Sequence, residues 1–153
     1  MNETISRNWI DAINAHDPAA VRAVLADDFI WELGGSSTQG ADVSAEAWRL
    51  WFVAFPDFAF EILRVISSAE RVVLQLRMRG THRGEFRFRG TNSMEHALSP
   101  TNLGFDLPGC AIHEIEGGKI TRLWAYWDTG TLMRQISGPV AAGKSTSGTP
   151  TRC

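Results

Sequence analysis

Residues 112–136, IHEIEGGKITRLWAYWDTGTLMRQI, decide the fold. Apolar and polar residues alternate on both sides of Gly117-Gly118, the pattern of two strands joined by a tight hairpin turn. The spacing predicts strands over Phe105 to Ile115 and Lys119 to Asp128, then a closing turn or helix from Thr129 to Ile136. With Gly117 and Gly118 as the turn, Glu116 faces Lys119, His113 faces Arg122 and Ala111 faces Trp124. Alternation then sets Trp124, Tyr126 and Asp128 on one face with Ala111 and Gly109.

Working back toward the N-terminus, Arg71 to His82 alternates well. Val72, Leu74, Leu76 and Met78 share one face, and Gln75, Arg77 and Arg79 share the other. Phe58 to Ser67 alternates less cleanly. The segment Arg83 to Asn102 mixes glycines, charges and a Ser-Pro turn, and reads as a long loop. Three helices precede this strand-rich part. The first runs from Glu3 to Asn14 with Ile5, Trp9, Ile10 and Ile13 on one face. The second is short, capped by Asp17 ahead of Pro18. The third spans about Ser44 to Phe55, stopped by Pro56. Phe29 to Leu33 reads as a strand and Gly34 to Gly40 as a loop. Helices first and a run of antiparallel strands after them argue for α+β, with the helices covering one face of a curved sheet. Residues 1–137 are expected to form one domain. The glycine-rich polar residues 138–153 are expected to be a disordered tail.

Composition narrows the function classes. The chain has 153 residues, enough for one substantial core, with 44% apolar and 21% charged residues. The net charge of −2 argues against a nucleic-acid partner. The basic cluster Arg77, Arg79, His82, Arg83, Arg87, Arg89 is interrupted by Glu85 and reads as a solvated strand and loop. No stretch approaches the length of a membrane span, so no membrane partner is expected. The N-terminus is polar and unlike a secretory leader, and a cytoplasmic location is the expectation. Cys110 and Cys153 form no disulfide framework, and the four histidines have no metal-ligand spacing. Six tryptophans are the unusual feature, because large aromatics build cores and also line pockets for flat ligands.

Four segments, in this order and spacing, resemble the SnoaL-like polyketide cyclases of the NTF2-like superfamily. They are NWIDAINAHDPAAVRAVLADDFIWE (8–32), WRLWFVAFPDFAFEI (48–62), RMRGTHRGEF (77–86) and the terminal hairpin quoted above. The resemblance covers residues 3 to 137. It implies an NTF2-like cone, with N-terminal helices packed on a strongly curved antiparallel sheet around an apolar pocket. The implied chemistry is an intramolecular aldol condensation run by an acidic side chain, without metal or organic cofactor, on an aromatic or polyketide-like molecule. A carboxyl in an apolar pocket has its pKa raised and can serve as acid and base near neutrality. Relatives commonly dimerise through the convex sheet face, and a homodimer or higher homo-oligomer is expected. Val73, Leu123 and Trp127 are the expected surface patch. The departure is the segment from Phe86 to Asn102, longer than the short turn of the family.

Asp128 is the first candidate for the pocket acid. It reads equally as the N-cap of the closing helix, since TGTLMRQ follows it. His113 is a candidate partner, although the register separates it from Asp128 by roughly 20 Å at ~3.4 Å per residue. Tyr126, the sole tyrosine, stands where epoxide hydrolases of this fold carry an acid. His82 closes the long strand near the expected pocket mouth. Trp9, Trp31, Trp51 and Trp124 are candidate pocket walls, or plain core. Three functions remain open on this scaffold: cyclase chemistry, another reaction such as hydrolysis, isomerisation or hydroxylation, and non-catalytic ligand binding or assembly.

Overall fold

The computed structural model describes residues 1–89 and 94–138. Helices α1 (Asn2–Asn14), α2 (Pro18–Ala23) and α3 (Ala41–Ala54) come early, and α4 (Thr129–Ser137) closes the described chain. Strands β1 (Leu25–Leu33), β2 (Ser36–Gln39), β3 (Ala59–Ser67), β4 (Arg71–Thr81), β7 (Gly104–Glu116) and β8 (Lys119–Trp127) form one curved six-stranded sheet, ordered β2-β1-β8-β7-β4-β3. A separate two-stranded hairpin, β5 (Phe86–Arg89) and β6 (Glu95–Leu98), lies between β4 and β7 in sequence. Within the segment expected to be a long loop, 86–89 and 95–98 are therefore paired strands, and 90–93 lie outside the described residues. The Gly34–Gly40 loop likewise contains β2, which turns back on β1 after Gly34-Gly35, both at positive φ. The sheet is not wholly antiparallel, because β1 runs parallel to β8. The tail expected from residue 138 lies outside the described residues from 139 onward.

Helix faces follow the sequence pattern. On α1 the buried side chains are Ser6, Trp9, Ile10, Ala12 and Ile13. On α3 they are Ala41, Ser44, Trp48, Phe52 and Ala54, close to helical repeat. Asp17 caps α2 as expected, its carboxylate accepting from the Ala20 amide at 3.0 Å. On β4, Val72, Leu74, Leu76 and Met78 point inward and are all fully buried.

The register of β7 and β8 departs from the hairpin expectation at one place. Glu116 faces Lys119 and Ile115 faces Ile120, as two turn glycines require. Glu114 then faces Arg122, so Thr121 is an extra residue in β8, a bulge. Its hydroxyl donates to the Glu114 carbonyl at 3.2 Å. Beyond the bulge every pairing moves by one: His113 faces Leu123 and Ala111 faces Ala125. A one-residue shift exchanges the two faces of a strand. Leu123 and Ala125 are consequently buried, with Trp127 packed against the core, while Tyr126 is 59% exposed. Of the expected surface patch, only Val73 lies on the outer face.

Candidate functional site

The concave face of the sheet and the helices enclose a core in which a cluster of aromatic rings packs against aliphatic side chains such as Ile13, Leu74, Leu76 and Met78. Trp48 sits at its centre, with ring centroids of Trp9, Trp31, Trp51, Phe52, Phe58 and Phe60 at 5.8–6.2 Å. Trp31 stacks on it nearly parallel, and Trp9 and Trp51 meet it edge-on. Two open concavities mark the surface, one bordered by Asp57, Arg79, Thr81, Asp106 and Gln135, the other by Gln75, Pro108, Cys110, Tyr126 and Asp128. Neither reaches Trp48 or His113.

Polar groups inside this volume are few. Among the described residues, the buried side-chain nitrogens or oxygens without a hydrogen-bond partner are Nε1 of Trp9, Trp31 and Trp51 and Nε2 of His82 and His113. Buried polar groups are ordinarily paired, so these five atoms are exceptions. Every unpartnered indole is a donor and no carboxylate is among these atoms.

His113 is the central polar residue. It is fully buried on β7, and Nδ1 lies 2.8 Å from the Ser6 hydroxyl on α1. Its ring meets Trp9 edge-on at 4.9 Å. Burial pushes its pKa down to about 3, so the imidazole is neutral in the folded protein at pH 7. Ser6 was not legible as a site residue, although a signal existed: it occupies the same helical stripe as Trp9, Ile10 and Ile13, where an apolar residue is the rule.

The remaining candidates lie apart. Asp128 is exposed and caps α4, accepting from the Thr131 hydroxyl at 2.7 Å and the Thr131 amide at 3.0 Å. Those two bonds, with Arg134 near, hold its carboxyl below the usual range, opposite to the raised pKa of a pocket acid. Asp128→Ala is expected to lower the melting temperature, and Asp128→Ser, which restores a cap, to recover it. A scanning-fluorimetry series checks this. Tyr126 faces outward. Trp124 also lies outside, beneath the guanidinium groups of Arg71 and Arg122 at 5.2 and 5.4 Å. Trp9 is in the core and Trp31 and Trp51 are partly buried against it, which fits pocket wall and plain core alike. His82 is buried at the end of β4: its Nδ1 accepts from the Thr101 amide at 3.3 Å, and burial lowers its pKa against the opposing pull of the Leu98 and Gly84 carbonyls. The structure thus brings His113 together with Trp9, and places His82, Tyr126, Trp124 and Asp128 elsewhere.

The basic strand is matched by acids: Arg77 forms two 2.7 Å bonds with Asp106, Arg71 meets Glu114 at 2.9 Å and Arg87 meets Glu85 at 2.8 Å. No helix of the described residues is long and apolar enough to cross a membrane. No group of three or more metal-ligating side chains occurs among the described residues.

Comparison with known proteins gives the fold a context. The family model for the SnoaL-like polyketide cyclases matches residues 3–136. No curated protein sequence matches the chain. Among solved structures, a candidate SnoaL-like polyketide cyclase from Jannaschia sp. CCS1 is 18% identical, with a TM-score of 0.77 over 90% of this chain and 92% of that one. AclR, a candidate hydroxylase from Streptomyces galilaeus, is 18% identical, with a TM-score of 0.73 over 95% and 88%. An LEH-like epoxide hydrolase from M. tuberculosis is 20% identical, with a TM-score of 0.66 over 92% and 93%. At these identities the likeness is one of fold, shared by proteins named for three different chemistries.

Proposed function

Because the chain belongs to the SnoaL-like polyketide cyclase family, we propose that it takes a flat aromatic or polyketide-like small molecule into its aromatic interior and moves a proton there through His113, without a metal or organic cofactor. The observation that carries this reading is the Ser6–His113 pair, fully buried with Nε2 unpartnered beside the Trp9 ring. With Nδ1–H donating to Ser6, Nε2 is a free base. It takes a proton from the carbon next to a ligand carbonyl, and the C–H electron pair moves to the enolate. Indole N–H groups left without partners are suited to the oxygen where that charge develops. The enolate carbon then attacks a second carbonyl of the same molecule, a C–C bond forms, and the new alkoxide takes the proton back from His113. The low pKa of the imidazolium belongs to a dry interior without counter-charge, which an enolate beside it supplies.

Non-catalytic ligand binding is the second reading. It is favoured by the solvent position of Asp128 and, among the described residues, the lack of an unpartnered carboxylate in the interior.

The two are separated by binding and by isotope exchange. An aryl ketone at ~100 times its Kd is expected to stabilise the protein by ~2.7 kcal/mol. In D2O the wild type is expected to speed deuterium exchange at the ketone's α-carbon. His113→Gln is expected to lose at least about 100-fold of that acceleration, the usual worth of a positioned general base, while still binding. Binding without exchange supports the second reading, and absence of binding overturns both.

The homo-oligomer is proposed as a dimer through the outer sheet face. Ile66, Val73, Ile112 and Trp124 lie directly opposite one another on β3, β4, β7 and β8, forming an apolar row beside Cys110 and Tyr126. Arg71–Glu114 and Arg122–Glu32 pair on one side and Arg77–Asp106 and Arg79–Glu61 on the other, while Arg64 joins Gln75, Cys110 and Tyr126 in the neighbouring row. An apolar strip whose rim charges are mostly paired meets a second copy of itself, with Arg64 out on the edge strand β3. Ile112→Glu is expected to shift the mass measured by light scattering from dimer to monomer. A wild-type mass of one chain overturns the proposal.

A further inference from the structure

We infer that Phe86, carried on β5, is the gate of the aromatic interior: the paired strands β5 and β6 pivot on two anchored ends, and Phe86 leaves Trp51 and Phe55 to admit a ligand. As a route for a ligand this rests on the proposed binding function; as an opening motion it stands on the geometry alone. The hairpin shares no ladder with the six-stranded sheet. Its backbone is held instead at each end. On one side the amides of Arg83 and Gly84 both donate to the Ala54 carbonyl at the end of α3, at 3.0 and 3.1 Å. On the other, the Asn102 amide donates to the His82 carbonyl at 2.8 Å and the Thr101 hydroxyl to the Ile136 carbonyl at 2.6 Å. His82 stands between the two anchors, its Nδ1 accepting from the Thr101 amide.

Between the anchors the attachment is through side chains. Phe86 is 7% exposed and sits edge-on to Trp51, centroids 5.3 Å apart, and 5.3 Å from Phe55. The outward side of the hairpin is solvent-facing at Glu85, Arg87, Glu95 and Ala97. Beneath Phe86 lies Trp51, whose buried Nε1–H has no acceptor. Phe86 is the buried ring of this cover, with Phe88 and its ladder partner Leu98 partly buried beside it. A short hairpin fixed at its ends and by a few rings is the kind of element that opens below the cost of global unfolding. Gly84 fits the anchor closely: a Cβ there would stand 2.0 Å from the Val53 carbonyl oxygen, so any side chain must displace the pivot.

Hydrogen exchange of the indole protons tests the gate without a ligand. Trp51 Nε1–H lacks a hydrogen bond, so its exchange reports only access of water. In the 15N-labelled full chain, it is expected to exchange at least ten-fold faster than the core amide of Leu76 on β4. Phe86→Ala, or Phe86→Leu if the alanine variant does not fold, is expected to speed it at least ten-fold further with Leu76 unchanged. Gly84→Ala is expected to do the same by moving the pivot. Exchange of Trp51 Nε1–H at the Leu76 rate in the wild type, or no acceleration in the variants beyond that of Leu76, overturns the gate. Binding of an aryl ketone is read separately from quenching of tryptophan fluorescence, so loss of the binding function leaves the exchange result standing.

Discussion

Trp48→Ala is expected to lower the free energy of unfolding by about 3–5 kcal/mol, the range for removing a large buried aromatic. Trp48 is 3% exposed and within 6.2 Å of six other aromatic rings, drawn from α1, β1, α3 and β3 and the turn before it. Its removal leaves a void that rigid rings cannot collapse into, so the loss belongs toward the upper end of the range. Against a total stability of about 5–15 kcal/mol for an ordinary domain, that is a large share. Urea denaturation checks it, with Trp124→Ala as the comparison. Trp124 lies outside the interior beneath two guanidinium groups, and its removal is expected to cost about 1 kcal/mol or less.

The second large effect is a dependence of stability on pH carried by His113. In the unfolded chain the imidazole titrates near its ordinary 6.5, whereas in the fold burial holds it near 3. The unfolded state therefore binds one more proton than the folded state between those values. The stabilising contribution is fully present above pH 6.5 and is lost as the pH falls toward 3. The slope is about 1.4 kcal/mol per pH unit, so about 2 kcal/mol is lost between pH 6.5 and 5. His113→Gln keeps a polar partner for Ser6 and does not titrate. Urea midpoints at pH 7 and pH 5 are expected to differ less in this variant than in the wild type by that amount. An equal pH response in both proteins contradicts the neutral, dry imidazole described here.

Most of the architecture was legible because its signals are local. Pro18 after Asp17, Pro56 after Phe55 and the alternation from Val72 to Met78 each report on their own backbone. Burial of Trp9, Ile10 and Ile13 also follows from helical spacing alone. Hidden from the sequence were features fixed by pairing at a distance. The bulge at Thr121 carries no glycine or proline to announce it, and it reverses the facing of every residue from Leu123 to Trp127. The parallel pairing of β1 with β8 likewise depends on partners remote in the chain, while the glycines and charges from Arg83 to Asn102 masked the short strands β5 and β6. The site was half legible. Trp9, Trp31 and Trp51 were named as walls, and His113 was named for a partnership with Asp128 that the structure does not make. Its actual neighbour, Ser6, lies 107 residues away in the chain, and a serine on a helix gives no sign of which histidine it will meet.

The stacking of the interior rings also gives the molecule an optical signature. Trp31 lies at 8° to Trp48, and Trp9 and Trp51 meet it at 80° and 75°, all with centroids within 6.2 Å. Indoles held that close in fixed orientation share their electronic excitations, so the folded protein is expected to show intense exciton bands in its ultraviolet circular dichroism. Trp124 lies apart from this cluster, and its replacement by phenylalanine leaves tryptophan emission, excited selectively over Tyr126, to the inward-facing indoles. The fluorescence that remains arises from the interior, so the chain carries its own reporter for whatever molecule slides between those rings.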